Sequence, residues 1–148
     1  LKRYNNPTVL LEIGIKDQEI YIIREFYRSQ ITNADLISVL KDWQIKGVIY
    51  ADASEPARIE EIARNGFHVK PAEKSVKDGI DLLKRKKIHV AQSCSNFIKE
   101  IKGYKWKEDA KGNILDEPVK FMDHAMDAMR YAIYTHFRAQ GGVGVIWL

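Results

Sequence analysis

The chain reads as an α/β domain, and three observations carry that reading. Thr8–Ile15 and Ile20–Tyr27 are two runs rich in β-branched and aromatic residues, joined by the polar Lys16–Glu19, which is the pattern of an antiparallel hairpin. Three short apolar runs then alternate with stretches of helical periodicity, as parallel strands joined by crossover helices do. Near the end, Met122, Met126, Met129, Ile133 and Phe137 recur at spacings of three and four, so the sequence predicts an amphipathic helix running to about Phe137. Together these predict a mixed sheet, antiparallel first and parallel later, with helices on both faces.

Each element has a local cause. After the hairpin, Thr32 or Asn33 suits a helix N-cap, and Leu36, Ile37, Leu40 and Trp43 supply the buried side. Gly47 ends that region, and Val48–Ala51 has the length and apolar content of a buried strand. It stops at Asp52-Ala-Ser-Glu-Pro56, where Pro56 fits the first turn of a helix burying Ile59, Ile62 and Ala63 and ending at Asn65-Gly66. Phe67–Lys70 reads as a second short strand. Ser75 reads as the cap of a helix burying Val76, Ile80 and Leu83. Ile88–Val90 is a third strand, followed by a helix with Phe97, Ile98 and Ile101. Tyr104–Lys107 and Ile114-Leu115 flank a polar turn and form a small hairpin before the last long helix. The domain spans residues 1–140. The tail 141–148 fits an added strand, an expression remnant or a piece rejoined across a gap.

Composition narrows the function. With 148 residues, 45% hydrophobic and 30% charged, the chain suits one domain with a real core. No run approaches a membrane span and no signal peptide is visible. The one cysteine, Cys94, excludes an internal disulfide and reads as a small buried hydrophobe. A net charge of +4 permits a nucleic-acid partner without requiring one. There is no Cys/His zinc pattern, no Gly-rich phosphate loop and no Gly-x-Ser-x-Gly elbow.

The carboxylates are the chemically informative groups. Asp52 sits at the carboxyl end of a parallel strand, where functional groups collect; its alternative is a turn or N-cap aspartate. Asp123 and Asp127 are four apart on one side of the last helix, with His124 one turn from Asp127. Two stacked carboxylates repel, and a hard divalent cation between them would reverse the sign; the alternative is an acidic helix start favoured by the dipole. Asp52 and Asp127, brought together beside a basic surface, would suit two-metal phosphodiester hydrolysis. His68 and His89 follow no ligand spacing and read as structural.

Tyr50-Ala-Asp-Ala-Ser-Glu-Pro56, Asn65-Gly-Phe67, Lys70-Pro-Ala-Glu-Lys-Ser-Val-Lys-Asp-Gly-Ile80 and Asp123-His-Ala-Met-Asp-Ala-Met-Arg-Tyr-Ala132 resemble, in order, the C-terminal nuclease domain of tailed-bacteriophage terminase large subunits. Asn5-Asn-Pro-Thr8 resembles that family's entry to its second strand. The resemblance implies a ribonuclease H-like fold that cuts double-stranded, concatemeric phage DNA during packaging, using two Mg²⁺ or Mn²⁺ ions. It implies that Asp52, Asp127 and His124 are catalytic, and that Asp52, Asp127 and Asp123 are metal ligands. It makes Lys70, Lys74 and Lys77 candidate phosphate contacts. Lys105 and Lys107, alternating with aromatics on one strand face, are candidates of the same kind, whereas Lys84–Lys87 read as a solvated helix end. The partners it implies are DNA, the ATPase domain of the same full-length protein, the phage portal and the small terminase subunit, in the cytoplasm of the infected host. The family's first aspartate, in an Asp-x-Gly pattern just before the Asn5 entry, has no counterpart in Leu1–Tyr4. The second reading is therefore a catalytically incomplete ribonuclease H-like module that binds DNA or docks.

Overall fold

The computed structural model describes residues 6–104, 106–118, 123–139 and 145–147. Its first two strands, β1 (Pro7–Lys16) and β2 (Glu19–Ser29), form the expected hairpin. Asp17 and Gln18 both have positive φ, 52° and 67°. A two-residue loop with that geometry matches the right-handed twist of the strands. The register slips once after Glu12, which pairs with Arg24 while Ile13 pairs with Ile22. Ile23 is the extra residue of this bulge and is 46% exposed.

The rest alternates as the periodicity predicts: α1 (Asn33–Asp42), β3 (Val48–Asp52), α2 (Pro56–Arg64), β4 (Val69–Ala72), α3 (Lys77–Lys84), β5 (Ile88–Val90) and α4 (Ser95–Gly103). A separate two-stranded ribbon, β6 (Trp106–Glu108) with β7 (Ile114–Pro118), precedes α5 (His124–Ala139). The last described strand is β8 (Val145–Trp147). The main sheet runs β4-β3-β8-β1-β2-β5. β3 is parallel to β4 and β8, β2 is parallel to β5, and β1 is antiparallel to β2 and β8. Within the tail, β8 lies between β1 and β3.

The core lies where α5 crosses this sheet. Leu10, Leu11, Ile13, Ile20, Ile22 and Ile49 from the strands meet Ala125, Met126, Ala128, Met129, Ala132 and Ile133 from α5, all at most 5% exposed. Three small alanines on that face let the helix approach the strands closely. His136, one turn further along, shares a hydrogen bond with the Tyr50 hydroxyl at 3.2 Å. Cys94 is buried, as expected of a small hydrophobe.

Several local expectations change. Thr32 is the α1 cap, with a reciprocal bond to Asp35, and Trp43 is the half-buried C-cap residue rather than core. Ala63 is exposed, since α2 buries Ile62 and lays only part of Ile59 inside. The second short strand begins later, at Val69, and pairs with β3 as far as Asp52–Ala72, with the His68 carbonyl accepting from the Ile49 N–H just before it. Ser75 does not cap α3; Val76 holds the cap position with helical backbone and no side-chain bond. Met122 and Lys105 lie outside the described residues, as does the side chain of Lys107.

Candidate carboxylate site at the sheet edge

Asp52 is the last residue of β3 and pairs with Ala72, the last of β4. The β4 chain leaves the sheet beside it, so Lys74, two residues on, reaches back. Its ammonium lies 2.6 Å from Asp52 Oδ1. The same oxygen accepts the Ser54 N–H at 2.9 Å and the Ser54 hydroxyl at 2.8 Å. Partial burial pushes the Asp52 carboxyl up, but Lys74 and both Ser54 donors outweigh it and hold it below the usual carboxylate range. The turn aspartate and the candidate site aspartate are thus one residue. The loop carrying Lys74 is tied to α5: the Glu73 N–H donates to Thr135 Oγ1 at 2.8 Å, and Arg138 Nη1 lies 3.3 Å from Glu73 Oε2.

Asp127 stands on the first turn of α5, where its N–H donates to the Asp123 carbonyl at 2.8 Å. Its carboxylate Oδ1 accepts from Arg130 Nη1 at 3.0 Å. Arg130 is 1% exposed and also donates to the Tyr104 hydroxyl at 3.0 Å. Its Nε and Nη2 have no hydrogen-bond partner among the described residues. The roof over it is Gly79 of α3, where a Cβ would fall 2.6 Å from Arg130 Cγ.

Tyr131 lies beside the cations of both carboxylates. Burial, then the charge of Asp127 and more weakly that of Asp52, push its hydroxyl up to about 12. The Lys74 ammonium lies 5.8 Å from its ring centre and the Arg130 guanidinium 4.8 Å. The cation paired with each aspartate therefore lies against one aromatic ring.

The helix that presents Asp127 is held from below by a relay of carboxylates. Glu25 on β2 accepts from the Asn96 and Phe97 N–H groups at 3.1 and 2.8 Å and so caps α4. Glu100 on α4, 3% exposed, accepts from the Ala125 and Met126 N–H groups at 2.8 and 3.0 Å and caps α5. Its other oxygen accepts from the Tyr27 hydroxyl at 2.8 Å. Burial pushes the Glu100 carboxyl above its ordinary range despite these donors.

The remaining expected site residues divide. His124 opens α5 and is half-buried, and Asp123 just before it is 7% exposed. Among the described residues no three His, Cys, Asp or Glu side chains gather as a ready metal-holding group. Lys70 is exposed on β4, whereas Lys77 lies 3.6 Å from Asp81 one turn along α3. His89 is structural: it stacks on Tyr21 and bonds Glu19. Arg130, Tyr131 and Glu100 were missed by sequence reasoning; the three-residue spacing of Asp127 and Arg130 is the signal that could have found the first.

With this geometry established, known proteins give it a context. The family model described as Terminase RNAseH like domain matches residues 3–135. The PBSX phage terminase large subunit of Bacillus subtilis (strain 168) is 25% identical over 133 residues, covering 86% of this chain and 31% of that protein. The large terminase subunit of Escherichia phage T5 is 25% identical over 150 residues, covering 93% of this chain and 34% of that protein. The chain thus spans about a third of the length of these relatives. Among solved structures, the large terminase nuclease domain of bacteriophage SPP1, crystallised with bound Mn, superposes with a TM-score of 0.80 at 21% identity, over 91% of this chain and 80% of that one. The large terminase of a thermophilic bacteriophage, in complex with ATP-gamma-S, gives 0.74 at 27% identity, over 92% of this chain and 38% of that one. The ribonuclease H-like α/β fold that the sequence predicts is the fold of these nuclease domains.

Proposed function

We propose a metal-dependent DNA endonuclease role for this chain, which belongs to the Terminase RNAseH like domain family. The observation that supports the proposal is that Lys74, the partner of Asp52, and Arg130, the partner of Asp127, both lie against the Tyr131 ring, in a chain with the fold of terminase nuclease domains. The substrate would be double-stranded, concatemeric phage DNA, cut in the host cytoplasm as the genome is packaged. The Mn in the SPP1 relative supports a divalent ion as cofactor.

The donor chemistry fits such an ion. Among the described residues, three contacts on Asp52 fall on Oδ1, and Oδ2 of this 30% exposed side chain is the oxygen that would meet a hard cation. Mg²⁺ and Mn²⁺ take carboxylate oxygens and fill the rest of their shell with water and substrate phosphate. Asp52 and Asp127 would hold the ion, and His124, at the start of α5 one turn before Asp127, would act beside it. When bound, such an ion supplies a more acidic water and positive charge for the departing oxygen. Ser54 and Lys74 fix the Asp52 carboxylate, while Glu100 and Arg130 fix the helix turn that presents Asp127. Lys70, exposed one strand over, would contact phosphate without reading sequence. In the full-length protein an ATPase domain, the portal and the small subunit would complete the packaging assembly.

The test is plasmid cleavage in Mn²⁺ and in EDTA, with D52N and D127N alongside. Cutting should need the ion and fall at least about a hundredfold in each variant, the scale of losing one charge-stabilising group. Cutting that survives D127N would end this assignment. The second reading is a module that binds or docks DNA without cutting it. Duplex binding with no cleavage under any metal would select that reading.

A further inference from the structure

We propose that Lys74 is an exchangeable counter-charge: a divalent ion arriving at Asp52 expels the Lys74 ammonium, which then takes up a DNA phosphate. This rests on the metal-dependent reading above and adds a coupling between metal and DNA that the reading does not contain. The argument starts from the partners of Lys74. Its ammonium meets Asp52 Oδ1 at 2.6 Å and the Tyr131 ring at 5.8 Å. It shares that oxygen with two Ser54 donors that hold the carboxylate in place whether or not Lys74 is present.

A divalent ion and an ammonium repel strongly when both crowd one carboxylate, so they compete for Asp52. The carboxylate is held by its own turn, and the lysine is the movable member. Its side chain is 40% exposed and ends in a point charge on a flexible stem. The backbone beside it does not move with it, because the Glu73 N–H is bonded to Thr135 on α5. The released ammonium therefore stays within a side chain's reach of the site edge, where a phosphate would lie. Before metal arrives the Asp52 charge is already neutralised and Lys74 is withheld from DNA. Arg130 cannot exchange in this way, since it is 1% exposed and roofed by Gly79.

The test measures Mn²⁺ binding by electron paramagnetic resonance of the free ion, without DNA, for wild type, K74M, K74Q and D52N. Both Lys74 variants should bind Mn²⁺ about two- to fivefold more tightly, the range set by removing a part-exposed ion pair. A second arm measures the salt dependence of binding to a short phosphorothioate duplex that resists cutting. Adding Mn²⁺ should steepen the wild-type slope by about one phosphate contact and leave the K74M slope unchanged. If K74M and K74Q bind Mn²⁺ no more tightly than wild type while D52N binds it more weakly, the exchange is overturned and the metal reading stands. Tighter Mn²⁺ binding without the slope change overturns the hand-over to phosphate. If wild type and D52N bind Mn²⁺ alike, or neither binds it, the metal reading falls and takes this inference with it.

Discussion

Asp52 and Asp127 each carry a positive partner, yet the two pairs are built differently. Lys74 comes from a loop and is 40% exposed, and the carboxylate it meets is 30% exposed. Arg130 sits one turn from Asp127 on the same helix, is 1% exposed, and its carboxylate is 19% exposed. Water screens the first pair and leaves it exchangeable. The second has been taken out of water, and two of the guanidinium nitrogens found no hydrogen-bond partner among the described residues in return. What the contrast teaches is that one edge can hold a rigid carboxylate and an accessible one. A helix locked by a buried cation sets the geometry, and a strand end with a loose cation receives the ligand.

The comparison breaks most visibly at Arg130. R130A removes the buried guanidinium from Asp127 and Tyr104 and opens a void, so it should cost about 3 kcal/mol of unfolding free energy, at the low end for breaking a buried pair. R130M in a D127N background should recover most of that, because the methionine fills the space and no charge is stranded. Urea unfolding of the single and double variants measures both. A loss under about 1 kcal/mol in R130A would mean that Arg130 is not the lock. Next in size is G79A. Its added methyl would press on the Arg130 stem at 2.6 Å, and overpacking of this kind costs about 1–3 kcal/mol. It should also weaken cleavage by shifting Asp127, while K74A should leave the unfolding midpoint almost unchanged.

Parts of this edge were legible in the sequence for plain reasons. The hairpin and α5 announce themselves by periodicity, and Asp52 by its place after a short apolar run. Lys74 was legible as a basic residue on the right side but not as the partner of Asp52. That contact depends on the β3–β4 register, Asp52 opposite Ala72, which no local pattern encodes. Glu100 lies in a helix that also carries Lys99 and Lys102. Its place between Phe97 and Ile101 on the apolar stripe was the available signal. Ser75 misled because a good capping residue type says where a helix can start, while the backbone at Val76 decides where it does. The place of β8 between β1 and β3 was likewise not legible, since it depends on long-range pairing.

The next effect is on slope rather than level, and it probes what holds the rigid arm. The folded-state pKa of Glu100 is raised, so the fold favours the protonated acid. Its contribution is fully present below the unfolded value, about 4.3, and is lost as pH rises through the folded value. E100Q keeps the size of the side chain and cannot ionise. Relative to E100Q, wild type should therefore be more stable at pH 4 than at pH 7, with the difference shrinking upward through that window. Parallel chemical denaturation at the two pH values reads it, and a difference that is flat or grows with pH would remove burial as the dominant influence on Glu100.

The smallest effect belongs to the loose arm. K74A removes a part-exposed pair and should change stability by no more than about 0.5 kcal/mol, an amount that fades as salt rises. Asp52 runs opposite in sign to Glu100. Its folded pKa is lowered, so what Lys74 and Ser54 contribute is present above the unfolded value, about 3.9, and is lost as pH falls through the folded one. Wild type and K74A should therefore converge in strong acid and in high salt, whereas wild type and R130A should stay apart in salt, because a buried pair is poorly screened. If both variants proved equally salt-sensitive, the two arms would be one kind of site, and the division of labour between a fixed and an exchangeable cation would lose its basis.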